Sequence, residues 1–111
     1  MESKDPKKYY YTYMIRCKDN SIYTGITTNL EKRMQEHFTK DEKCAKYTKN
    51  HSALRLERAW KSENRVYASK LEYWIKHLTK IQKEELIKKP NNLNAFLSEK
   101  IEVNKYKIQL W

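Results

Sequence analysis

Glycine is almost missing from this 111-residue sequence: Gly25 stands alone, and only two prolines accompany it. No low-complexity linker or internal repeat divides the chain, and its length suits one domain. Cysteine is scarce as well. Cys17 and Cys44 lie far apart without a Cys or His at metal-ligand spacing beside either, which excludes a disulfide framework and a zinc knuckle and leaves two reduced structural thiols. No apolar run approaches the roughly 20 residues that cross a bilayer, and Met1 to Pro6 contain no apolar leader segment. The expectation is a soluble cytoplasmic protein with no membrane partner.

Acid is the scarcer charge. Fourteen Asp and Glu against 24 Lys and Arg leave a net charge of +10. Only five of those cations are Arg; lysine attracts phosphate as a point charge and supplies no fork for reading base edges. Such a balance points to a nucleic acid contacted through its backbone. What the chain does have is aromatic residues, nine Tyr and three Trp among them, and these separate it from chains too polar to bury a core.

Tyr9 to Cys17 is rich in β-formers, breaks at Lys18-Asp19-Asn20-Ser21, and resumes at Ile22 to Ile26, which reads as a β-hairpin. Alternation puts Tyr9, Tyr11, Tyr13, Ile15 and Cys17 on one face of the first strand, and Tyr23 with Gly25 on one face of the second. Gly25, at that strand's end, suits a structural turn or a crowded bulge. Thr28 and Glu31 have capping-box spacing, and Leu30, Met34 and Phe38 follow as a helical stripe, with Arg33 and His37 four apart beside it. Thr39 to Ser52 lacks an apolar period and carries Lys40, Lys43, Lys46 and Lys49 around Tyr47: a long basic loop.

Leu54, Leu56 and Trp60 alternate as one packed face of a third strand, leaving Arg55 and Glu57 outward. Ala68, Leu71, Ile75 and Leu78 form the stripe of a second helix that starts near Ser62 to Asn64. Glu72 lies one turn after Ala68, at the stripe's edge. A third helix follows the Thr79 to Gln82 capping box and stops before Pro90. Beyond Asn91, Leu93, Phe96 and Leu97 suit a short helix, and Ile101 to Trp111 alternates loosely, as an added strand would.

The ordered series Tyr11-Thr12-Tyr13, Tyr23-Thr24-Gly25-Ile26-Thr27, Arg33 to His37, Ala45-Lys46-Tyr47-Thr48 and Leu71-Glu72 to Ile75-Lys76 resembles the GIY-YIG nuclease superfamily. It is most similar to the small stand-alone bacterial members. Tyr11 replaces the glycine of the first tripeptide. The resemblance runs from Tyr9 to Ile87 and implies an N-terminal tail over 1–8, a nuclease domain over 9–88 and a C-terminal extension over 89–111. It further implies an α+β fold, a three-stranded antiparallel sheet flanked by helices, and a metal-dependent endonuclease acting on DNA, structure-selective or weakly sequence-specific, in repair or recombination. A non-catalytic nucleic-acid-binding domain on the same fold is the alternative. Residues 91–111, which lack a counterpart in the resemblance, are the candidate surface for a protein partner.

Phosphodiester hydrolysis needs an activated water, neutralisation of the phosphoryl oxygens and help for the leaving alkoxide. Glu72 offers a hard oxygen to one divalent ion, magnesium or manganese, and such ions are often bound by one or two carboxylates plus phosphate. Arg33 can fork onto two phosphoryl oxygens. Tyr13 and Tyr23 are expected on one face of adjacent strands, where one phenol orients or deprotonates the water and the other positions the phosphate. His37, with an ordinary pKa of about 6.5, is a third candidate for the base. Lys40, Lys43, Lys46 and Lys49 are the expected phosphate contacts. His51 and His77 read as surface residues.

Overall fold

The computed structural model describes residues 8–39 and 51–110. Its centre is strand β1 (Tyr10–Cys17), which pairs antiparallel with β2 (Ile22–Thr27) on one side and β3 (Ala53–Ser62) on the other. The hairpin turn works through Asn20, whose φ of 71° is one that Asn tolerates better than most residues. Asp19 braces it by accepting the Ser21 amide at 3.0 Å. A short fourth strand, β4 (Lys107–Ile108), pairs with β3 at Trp60 and Lys61, giving the order β2-β1-β3-β4. The α+β expectation holds, but the sheet has four strands where three were expected.

Helix α1 (Leu30–Phe38) covers one face of the sheet. Its cap is Asn29, whose side chain accepts the Lys32 amide; the expected Thr28–Glu31 box is displaced by one residue, because an Asn side chain reaches the same orphan donors. Helices α2 (Arg65–Lys76), α3 (Lys80–Lys88) and α4 (Asn92–Leu97) cover the other face. The Thr79 capping box forms as expected. With helices on both sides, β1 is buried on both faces: Met14 joins Trp60, Leu71, Ile75 and Leu86 in one cluster, while Tyr13, Ile15 and Cys17 join Met34 and Ala59 in the other.

The alternation expected for β3 fails at its middle. Met14 pairs with Arg58 and Ile15 with Leu56, so Glu57 is an extra residue opposite β1, a β-bulge. The bulge reverses the alternation: Leu56 packs with the Tyr13 cluster, Trp60 with the opposite one, and Leu54 is exposed. Glu57, expected to face outward, is instead drawn inward to buried Arg16, whose Nε donates to it at 3.0 Å. Arg16 also forks onto both carboxylate oxygens of Glu84 in α3, so one guanidinium ties hairpin, bulge and helix.

That fork holds the Glu84 carboxyl down at about 2, against an ordinary 4.5. Its folded pKa lies below its unfolded one, so its contribution is complete above pH 4.5 and disappears as pH falls through about 2. Glu84→Gln is therefore expected to lower stability by about 1–2 kcal/mol at pH 7. Urea melts should show that deficit shrinking as pH falls below 4.5; a deficit that stays constant down to acid pH would mean the carboxylate's charge contributes nothing.

Past Pro90, the chain stays in the domain. Leu93, Leu97, Ile101 and Tyr106 are buried with Trp60, the Tyr106 hydroxyl donates to the Tyr67 carbonyl at 2.6 Å, and the Gln109 amide donates to Ala59. Part of the apolar surface of 91–110 is thus used within the fold. Among the described residues no helix is long and apolar enough to cross a membrane.

Candidate active site

β1 and β2 are paired so that Tyr13 lies opposite Gly25 and Ile15 opposite Tyr23. This register sends the Tyr13 and Tyr23 rings to one face, 6.2 Å apart between centroids. α1 lowers His37 into the same space, its ring 5.6 Å from Tyr13 and 5.4 Å from Tyr23. Arg33, one turn earlier on α1, pairs with Glu36 at 2.8 Å and stands near enough to the Tyr13 phenol for its charge to act there. From the other side Thr12 donates to the Ala68 carbonyl at 3.1 Å, fixing α2 against β1. One turn further on, Glu72 stands near enough to Tyr13 for its charge to be felt there. The five residues expected to carry chemistry are brought together. Lys40, Lys43, Lys46 and Lys49 lie outside the described residues.

Gly25 is the reason the rings fit. It sits inside β2 and in no turn, and its φ is not left-handed, so the turn expected there is absent. A methyl at this position would stand 2.6 Å from the Tyr13 hydroxyl, 2.8 Å from its ring and 3.0 Å from the Tyr23 ring. Tyr13 cannot step aside, because it is 1% exposed and its hydroxyl lies 2.8 Å from His37 Nε2. Gly25→Ala should therefore cost about 1–3 kcal/mol of stability and detach the phenol from His37. Thermal melts and cleavage assays on the same preparation check this; an unchanged melt with full activity would show that the site yields.

Protonation follows from burial. Burial first, then the neighbouring Tyr23 phenol, raises the Tyr13 pKa above the ordinary tyrosine range, against the pull of Arg33. Burial, helped by the Arg33 charge, brings His37 down to about 4. At pH 7 both are neutral. The Tyr13 hydroxyl and His37 Nε2 share a hydrogen bond at 2.8 Å, and the Arg33 charge near the phenol oxygen favours the arrangement in which the phenol turns its proton to the imidazole. Tyr23 is only half-buried and is the ring of the three open to solvent.

Glu72 is 24% exposed and receives Lys76 Nζ at 3.3 Å; Lys76 also stands 6.0 Å above the Tyr23 ring. Sequence reasoning passed over Lys76 as a site residue, though its position four after Glu72 puts both on one side of α2. Among the described residues no three His, Cys, Asp or Glu cluster to hold a metal. The carboxylate that the site offers a cation among the described residues is Glu72, which suits a hard ion that keeps its waters and takes phosphate as a further ligand, and does not suit an all-protein cage.

A family model described as the GIY-YIG catalytic domain matches residues 9–94. UPF0213 protein FN1575 of Fusobacterium nucleatum is 42% identical over 100 residues, covering 90% of this chain and 95% of that protein. UPF0213 protein CPE1444 of Clostridium perfringens is 45% identical over 78 residues, covering 69% and 81%. The solution NMR structure of UPF0213 protein BH0048 from Bacillus halodurans is 38% identical, covers 72% of this chain and 83% of its own, and superposes with a TM-score of 0.47.

Proposed function

Because the chain belongs to the GIY-YIG catalytic domain family, a family of nucleases, we propose that it is a metal-dependent endonuclease hydrolysing DNA phosphodiester bonds in the cytoplasm, structure-selective or weakly sequence-specific. The observation that carries this reading is the convergence of Tyr13, Tyr23, Arg33, His37 and Glu72 around the one glycine whose missing side chain makes room for them.

Glu72 would hold a magnesium or manganese ion, and when bound the ion supplies Lewis-acid stabilisation of the phosphoryl oxygens and a more acidic water. The chain's own residues do the rest. Arg33, a permanent cation at the inner end of the site, forks onto phosphoryl oxygens as their charge develops. Tyr23, the reachable phenol, orients the attacking water and, as the phenolate left once its own proton has passed to solvent, takes that water's proton. Tyr13 holds its proton on neutral His37 and so presents a fixed dipole, which keeps that pair out of the base role at pH 7. Lysines, Lys40, Lys43, Lys46 and Lys49 among them, hold the DNA backbone.

The test is incubation with labelled duplex, flap, branched and single-stranded DNA, with and without magnesium or manganese. Metal-dependent cleavage of at least one of these is the expected result. Binding to the whole panel without cleavage would overturn the reading and leave a binding domain on a nuclease fold.

A further inference from the structure

Helix α2 turns Glu72 toward the site, and the adjoining side of the same helix is unlike an ordinary solvent face. Tyr73 and His77 are exposed there, their rings 4.2 Å apart and inclined by only 33°. His77 is held in place, since its Nδ1 donates to the Tyr73 carbonyl at 2.7 Å. Trp74 supports Tyr73 edge-on at 5.0 Å and carries Lys100 above its own ring. The rings are therefore arranged before any ligand arrives.

With His77 a turn beyond it, Tyr73 turns its other face toward the preceding turns, where Arg65, Val66, Ser69, Lys70 and Trp74 complete a groove around it. Val66, 65% exposed, forms the far wall. Arg65 and Lys70 supply cations to the groove, and α2 carries no acid besides Glu72. At the helix's other end Lys76 and Lys80 crowd Lys83, whose ammonium is disfavoured by burial first and then by those two charges. An apolar slot walled by a ring and flanked by cations alone, on a chain of net charge +10, matches a flat π-system carried on a polyanion and mismatches an apolar or basic peptide.

We propose that this groove binds an unpaired base of the DNA substrate, stacked on Tyr73, with Arg65 and Lys70 against the adjoining phosphates. The inference rests on the nuclease reading for its substrate and narrows it: the preferred DNA carries a single-stranded stretch beside the bond to be cut. Placement supports this. Tyr73 follows Glu72 directly, about 100° around the helix and about 1.5 Å along it, and Lys76 lies between them on the helix surface, so a strand leaving Glu72 reaches the ring within one or two nucleotides.

The experiment uses the intact protein and a short oligothymidylate containing one 2-aminopurine, a base whose fluorescence is quenched on stacking, alongside a fully paired duplex of matched length. Wild type should quench the single strand and bind it; Tyr73→Ala should lose the quenching and bind the single strand about 5- to 150-fold more weakly, with duplex affinity unchanged. Tyr73→Phe, which keeps the ring, should behave as wild type. Equal single-strand binding and quenching by wild type and Tyr73→Ala, both shown folded by circular dichroism, overturns the proposal, as does an equal loss on duplex. Should wild type cleave no DNA yet quench through Tyr73, the nuclease reading falls and the stacking site stands.

Discussion

Glu72→Gln is expected to abolish cleavage, by at least about a thousandfold or some 4 kcal/mol in the barrier, while the fold and DNA binding persist. The amide keeps the side chain's shape and its place on α2, and removes only the charge that a hard divalent cation requires. The ion pair with Lys76 is lost too, but it is a part-exposed i,i+4 contact of roughly 0.2–0.5 kcal/mol, so melting should hardly move. Binding should hold or tighten, because a carboxylate beside the scissile phosphate repels it when no metal intervenes. Wild-type cleavage by the variant, or undiminished cleavage in excess chelator, would remove metal from the mechanism.

The second large effect separates two tyrosines that sequence position alone makes look alike. Tyr23→Phe should lose about a hundredfold or more in turnover, within the range for removing a general base, with unchanged stability, because its phenol is half-buried where Tyr13 and His37 are fully buried. Tyr13→Phe should lose stability as well, about 1–3 kcal/mol, since it takes from buried His37 the phenol that its Nε2 holds. Paired cleavage and melting data on both variants decide the assignment. Activity retained in Tyr23→Phe and lost in Tyr13→Phe would transfer the base role to the buried pair.

Much of this was legible because it is local. The hairpin, the Thr79 box and the stripe through Leu71 and Ile75 depend on neighbours a few residues apart, and the ordered motifs placed Tyr13, Tyr23, Arg33, His37 and Glu72 together. What escaped depends on partners distant in the chain. The bulge at Glu57 exists because Arg16, 41 positions earlier, draws that carboxylate inward, and no alternation within β3 reveals it. Gly25 read as a turn because glycine's usual service is backbone freedom; its reason is the Tyr13 ring on the next strand. The fourth strand falls within the Ile101 to Trp111 stretch whose loose alternation suited an added strand, but that it is only two residues long and pairs with the open edge of β3 is not encoded in that pattern.

The closure of that edge by β4 bears on how the domain comes to fold. Until residues 93–108 are in place, Trp60, Met14 and Ile75 lack a wall, and β3 presents unpaired amides and carbonyls beside an uncovered apolar face. A chain interrupted after α3 has most of its helices and all of its catalytic candidates, yet it combines the two features that promote edge-to-edge association. A segment that carries none of the catalytic candidates is therefore the one that seals the sheet: once it docks, the edge of β3 and the apolar face beside it are covered together.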